Sequence, residues 1–289
     1  MLLLALLLAT DRYQPAEIPV SAVDQLTHAT QTMSAGDLAG AANELEQIIS
    51  GNPSYFLAHY DLGVVYQQMG RLEDSARELK RAKDLNDSLK LGEATIGASL
   101  GWIRYLQHDY SAAQSLTKTS LESPNFTLLD VQVRRGIFNN LANIYTAQRR
   151  PCEAQLYHDL GTSKAPEGAA SAPAELEGNW ILLRWKVRAM TGTYIPVGSS
   201  DPEGVLKIDP GANGTAYKGT LTLCVGQHWT DRPVEEFTIS KDGLRVSLVG
   251  KVTQGSDIWS DDRLAAKLDG LRMSGTDSDN EGVAFTKVF

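Results

Sequence analysis

The chain has 289 residues, 42% hydrophobic and 21% charged, and a formal net charge of −8 at neutral pH. That length suits about two domains, and the composition suits folded cores. The acidic balance, with a pI of about 5.2, argues against nucleic acid as a partner, because phosphate binding calls for clustered Lys and Arg. The longest basic cluster, Lys80-Arg81-Ala82-Lys83, has acidic neighbours and reads as a solvated helix face.

The chain starts MLLLALLLAT. The run Leu2–Ala9 would make roughly 12 Å of helix, well short of the ~30 Å of a bilayer core, so no transmembrane span is expected there. It is long enough for the apolar core of an export signal. Residues 1–20 are therefore set apart, and a periplasmic or secreted protein is expected. The alternatives are a truncated start, or an apolar end packed on the first helices of a cytoplasmic protein. Two cysteines, Cys152 and Cys224, are too few for a disulfide scaffold or a zinc site. Two buried free thiols are the default expectation, and an interdomain disulfide is the alternative.

Internal repeats dominate the first half. Gly36-Asp37-Leu38-Ala39-Gly40-Ala41-Ala42 aligns with Gly70-Arg71-Leu72-Glu73-Asp74-Ser75-Ala76 at an offset of 34. Leu45 meets Leu79, and Ile48 meets Ala82, at the same offset. Leu62-Gly63 and Tyr66 precede Gly70 where the first helix of a pair would lie. These positions resemble the tetratricopeptide repeat, with its Leu-Gly, Tyr, turn Gly, small residues and closing Pro. The unit at about 56–89 matches well, through Leu62, Gly63, Tyr66, Gly70, Ser75, Leu79 and Ala82, and the unit at about 22–55 in its second half, through Gly36, Ala41, Leu45 and Pro53. A third shows Leu100-Gly101, Tyr110, Ala113 and Pro124, with His108-Asp109 at its turn. A fourth shows Leu141-Ala142, Tyr145, Arg149 and Ala154, with Pro151 opening its second helix. The third is offset by about 38 and the fourth by about 41. One hairpin cannot bury its apolar face, so such units stack.

Ser163–Pro173 is rich in Ala, Gly and Pro and reads as a linker. Beyond about residue 175 the period becomes 2. Leu183, Trp185, Val187 and Ala189 alternate with Arg184, Lys186 and Arg188, as in a half-buried strand. Val205–Ile208, Thr215–Val225, Phe237–Ile239, Leu244–Val252, Leu264–Leu268, Leu271–Gly275 and Val283–Phe289 follow. Turn signals lie at Asn213-Gly214, Asp242-Gly243 and Asp269-Gly270. About eight short strands point to an antiparallel up-and-down barrel or a sandwich. Gly178-Asn179-Trp180 resembles the Gly-x-Trp opening of the lipocalin or broader calycin barrels. That resemblance implies a ligand cavity and a late Arg packed over the opening Trp. Here the last strand offers Lys287, and Arg272 lies one strand earlier. The expected layout is an apolar N-terminus (1–20), a helical solenoid of about four hairpins (21–164), a linker (165–174) and an all-β domain (175–289).

Chemistry is sparse. His28, His59, His108, His158 and His228 have no metal-site spacing, so no metal is expected. His59 reads as a packing or surface residue. Asp277–Gly282 mimics the start of a calcium loop, but the twelfth position is Val288 instead of Glu. No nucleophile elbow, phosphate loop or dinucleotide glycine pattern occurs, so neither catalytic residues nor a cofactor are assigned. Asp231, Glu235, Glu236, Asp261 and Asp262 are carboxylates that fit strand edges and turns.

The tetratricopeptide resemblance implies that the inner face of each first helix lines a concave surface. Helical spacing then puts Tyr60, Val64 and Gln67 there in the second unit, Ala98, Trp102 and Tyr105 in the third, and Asn139, Asn143 and Thr146 in the fourth. Aromatic and amide groups suit capture of a peptide. No Lys or Arg falls on these positions, so a carboxylate-binding specificity is not expected. The sequence thus points to a non-enzymatic scaffold that binds a partner protein or peptide. The alternative is carriage of a small apolar ligand in the barrel.

Overall fold

The structure, a computed structural model, describes residues 18–86, 92–162, 176, 178–185, 203–209, 216–224, 234–254, 263–277 and 282–288. The apolar start, the Ser163–Pro173 linker, Asn213-Gly214, His228, Asp231, Asp261 and Asp262 lie outside these residues. Among the described residues there are eight α-helices followed by eight β-strands. The chain divides into two compact units, with the boundary between Gln148 and Arg149.

The helices are α1 (Val20–Ser34), α2 (Leu38–Gly51), α3 (Phe56–Gln68), α4 (Leu72–Asn86), α5 (Glu93–Leu106), α6 (Tyr110–Glu122), α7 (Val131–Ala147) and α8 (Pro151–Thr162). A short 3₁₀ turn, Phe126–Leu128, precedes α7. In the first unit each helix packs on the next from α1 to α7. The first helices α1, α3, α5 and α7 also touch in series, which forms one layer. Small residues set the crossings, since a bulkier side chain would hold the helix axes apart. A Cβ on Gly63 of α3 would come within 2.7 Å of Leu79 Cγ of α4. The Ser75 hydroxyl, fully buried, donates to the Gly63 carbonyl at 2.7 Å. Gly101 of α5 plays the same part, with Thr117 and Ala113 of α6 across from it. A single apolar cluster runs from Ala22 to Ile103 and so joins the first three hairpins.

The hairpin turns share one backbone device. Gly36 and Gly70 have φ of 90° and 75°. His108 and Arg149 occupy the same place in the later turns and take φ of 62° and 59°. The left-handed conformation that glycine adopts readily is thus imposed on two side-chain-bearing residues. The next residue caps the following helix in two cases. Asp37 accepts from the Gly40 N–H at 2.8 Å, and Asp109 from the Ala112 N–H at 3.1 Å. Such caps satisfy backbone donors that a helix N-terminus leaves open.

The second unit holds α8 and a closed barrel of β1 (Gly178–Trp185), β2 (Glu203–Asp209), β3 (Ala216–Cys224), β4 (Val234–Asp242), β5 (Arg245–Gln254), β6 (Arg263–Asp269), β7 (Arg272–Thr276) and β8 (Gly282–Lys287). Each strand pairs antiparallel with its chain neighbour, and β1 pairs with β8. The expected up-and-down barrel is therefore what forms, and closure leaves no edge strand unpaired. Two-residue loops at Gly243-Leu244 and Gly270-Leu271 close their hairpins on the pairs Asp242–Arg245 and Asp269–Arg272. Alternation sends Leu206 and Ile208, Leu221 and Leu223, Phe237 and Ile239, and Val283 and Phe285 into one buried cluster. At one end Trp180, fully buried, donates its indole N–H to the Leu176 carbonyl at 2.7 Å. Lys287, its partner across β1 and β8, brings Nζ to 5.8 Å from the ring centre. A lysine here makes the contact with the opening Trp that the calycin resemblance assigns to an arginine.

The cysteines correct the default expectation of two free thiols. Cys152 of α8 and Cys224 at the end of β3 form a disulfide, with Cα atoms 5.8 Å apart across 72 residues of sequence. The bond lies inside the second unit, where α8 also lies against β2. The helix that completes the fourth repeat by sequence is therefore tied to the barrel.

Candidate functional site

The expected inner-face residues fall into three settings. Tyr60 is 2% exposed, and its hydroxyl meets Ser99 Oγ of α5 at 3.3 Å. It therefore braces the second hairpin against the third. Burial and the nearby Asp61 carboxylate push its phenol up to about 12, partly offset by the Ser99 bond. Val64 and Gln67 are half-buried, and Gln68 beside them is exposed. These three form the open strip of α3, whose run from Phe56 to Tyr66 is otherwise buried.

In the third hairpin Trp102 and Tyr105 are half-buried and stacked, with ring centres 4.8 Å apart and planes 18° apart. Tyr105 leans on Tyr110 at 5.7 Å. His108 then meets Tyr110 edge-on, its Nδ1 2.9 Å from the hydroxyl. The two expected aromatics are thus part of a longer half-open ladder that includes the left-handed turn residue. Periodicity on α5 alone misses His108 and Tyr110, which lie beyond the helix. Ala98 is buried. On α7, Asn139, Asn143 and Thr146 are all exposed. Thr146 turns its hydroxyl back to the Ala142 carbonyl at 2.8 Å. The amides of Asn139 and Asn143 face solvent, as donors and acceptors for an extended backbone require.

Asp61, which the sequence analysis passes over, is the unusual neighbour. It is 6% exposed, and burial alone pushes its carboxyl up to about 7. Among the described residues none donates to it or pairs with it. Two other acids of this unit, Glu46 and Glu78, are partnered. Glu46 accepts from the Tyr66 hydroxyl at 2.6 Å, and Glu78 meets His59 Nδ1 at 2.9 Å. His59, itself buried, also meets the Pro53 carbonyl at 3.1 Å, which fixes it as a packing residue. Among the described residues no group of three His, Cys, Asp or Glu side chains could hold a metal ion. In the barrel, Glu236 is exposed on β4.

The comparisons with known proteins follow the helices. Residues 32–88 match the tetratricopeptide repeat family. No curated protein matches the chain. Three solved structures are similar. One is MamA, at 16% identity over 45% of this chain and 70% of that one, TM-score 0.38. Another is BtubC from P. vanneervenii, at 17% over 57% and 74%, TM-score 0.45. The third is a putative kinesin light chain with tetratricopeptide-like repeats from Podosopora anserina, at 17% over 53% and 78%, TM-score 0.41. The chain therefore carries tetratricopeptide repeats, followed by a closed eight-stranded barrel.

Proposed function

We propose that this protein is a non-enzymatic scaffold whose helical layer holds an extended segment of a partner protein. The contact surface would be Val64 and Gln67, the Trp102–Tyr105 stack, and Asn139, Asn143 and Thr146. The observation that carries this reading is the pairing of half-open stacked aromatics on α5 with exposed amides on α7. Rigid aromatic surface supplies contact area at low entropic cost, and side-chain amides bond a peptide backbone. Tyr60 is buried, so in this reading it braces the surface from beneath. Tetratricopeptide repeats at residues 32–88 support a protein-interaction role in general terms. The test is recovery of a partner by the intact chain and by a Trp102→Ala, Asn143→Ala variant. The reading expects capture by the first and loss of capture by the second, at unchanged thermal stability. Equal capture would refute it.

Carriage of a small apolar ligand ranks second. The inward side chains of the barrel already form one contiguous buried cluster, as self-filled small barrels do. The calycin resemblance is read here as architectural. The Cys152–Cys224 disulfide supports placement in an oxidising, extracytoplasmic compartment, since such bonds persist poorly among reducing thiols. No helix among the described residues is long and apolar enough to cross a membrane.

A further inference from the structure

We infer that the helical layer takes up a positively charged side chain, Lys or Arg, from the partner segment, with Asp61 as its buried counter-ion. The inference rests on the groove reading above and adds the chemistry of the occupant.

Asp61 stands three residues before Val64 and seven before Gln68. At 3.6 residues per turn those three positions share one strip of α3. Val64 and Gln68 belong to the part of the helix left open, and Asp61, 6% exposed, stands at the closed end of the same strip. Asp61 has no donor among the described residues, and its burial disfavours the charged form. Tyr55 and Tyr60 are near it, and burial above all, with a lesser contribution from the Asp61 charge, pushes both phenols up to about 12. Neither is a cation. The contact residues named for the groove include no Lys or Arg. With no cation beside it among the described residues, Asp61 is open to one from outside, and a chain of net charge −8 attracts such a partner. The stacked Trp102 and Tyr105 suit the same occupant, since an aromatic face attracts Lys and Arg. A long basic side chain can lay its apolar stem on such rings and carry its charge deeper.

The test uses the full chain and four fluorescein-labelled pools of random nonapeptides, whose central residue is fixed as Arg, Lys, Gln or Glu. Binding is read by anisotropy for the intact chain, for Asp61→Asn, and for Asp84→Asn. Asp84 is an exposed acid on α4 paired with Lys80, so its variant removes the same charge from a solvated face. Asn is close to isosteric with Asp, and circular dichroism checks that Asp61→Asn folds. The expected result is that the Arg and Lys pools bind the intact chain at least about tenfold tighter than the Gln pool, as losing one partner of a buried charge pair implies. That preference disappears in Asp61→Asn and survives in Asp84→Asn. No binding by any pool, no preference, a preference that persists in Asp61→Asn, or one lost equally in Asp84→Asn would each overturn the inference. A Trp102→Ala, Asn143→Ala chain separates the two claims. Binding that needs those residues but ignores peptide charge keeps the groove and removes the role of Asp61. A charge preference that needs Asp61 but ignores both residues removes the groove and keeps the cation site.

Discussion

At the scale of single residues, the buried Asp61 carboxyl makes stability depend on pH. Its carboxyl titrates near 7 when folded and near its ordinary 3.8 when unfolded. The folded chain therefore holds that proton more tightly. As pH rises from about 4 through about 7 the unfolded chain gives up the proton first, and stability falls. At ~1.4 kcal/mol per tenfold change in proton affinity, the deficit above pH 7 amounts to a few kcal/mol. Asp61→Asn is thus expected to raise the unfolding free energy at pH 8, and to change it little at pH 4. Denaturant titrations at the two pH values check this, and an equal effect at both would contradict it. The turn residues make a second case. Arg149 is exposed and left-handed, at φ 59°. Arg149→Gly should relieve that conformation and stabilise by about 0.5–1 kcal/mol, net of the entropy glycine gains when unfolded. A lower melting temperature would show that the Arg149 side chain matters to the fold in some other way.

Among the elements, the disulfide decides which helix belongs with what. Cys152–Cys224 closes a span of 72 residues, and a loop of that size is worth about 2–4 kcal/mol in restraint of the unfolded chain. A Cys152→Ser, Cys224→Ser chain should lose about that much stability, read by chemical unfolding without reductant. Alkylation of both thiols in the untreated, unreduced protein would show that the bond is absent. These elements also show what a sequence can and cannot carry. The 34-residue echo was legible because Gly63, Ser75 and Leu79 meet at a helix crossing, where size is dictated by contact. The strands were legible because burial alternates along them, as in Val283 and Phe285 of β8. The turns at His108 and Arg149 were placed by the repeat, but their left-handed backbone was hidden, since it is forced there by the hairpin and not by the residue type. The disulfide stood only as the alternative to free thiols, because two cysteines 72 residues apart pair only through the fold. Asp61 escaped notice for a related reason. Nearly all of α3 is buried, so its sequence lacks the polar face against which a buried acid would stand out.

For the whole molecule, a layer of first helices presents aromatic and amide groups, and a closed barrel holds its own apolar core. On this account the work of the protein is holding, and the aromatic and amide contacts lie in the third and fourth repeats, where the period slips from 34 to about 38 and 41. There Trp102 and Tyr105 stack, and Asn139 and Asn143 lie open. The regular second repeat contributes the buried Tyr60 brace and the buried Asp61 carboxyl. The most direct measurement is the affinity of a recovered partner segment for the intact chain and for the Trp102→Ala, Asn143→Ala chain, by titration calorimetry on folded samples. The account predicts a loss of at least about tenfold, as expected when an aromatic anchor and a paired amide are removed from one interface. An unchanged dissociation constant would contradict it.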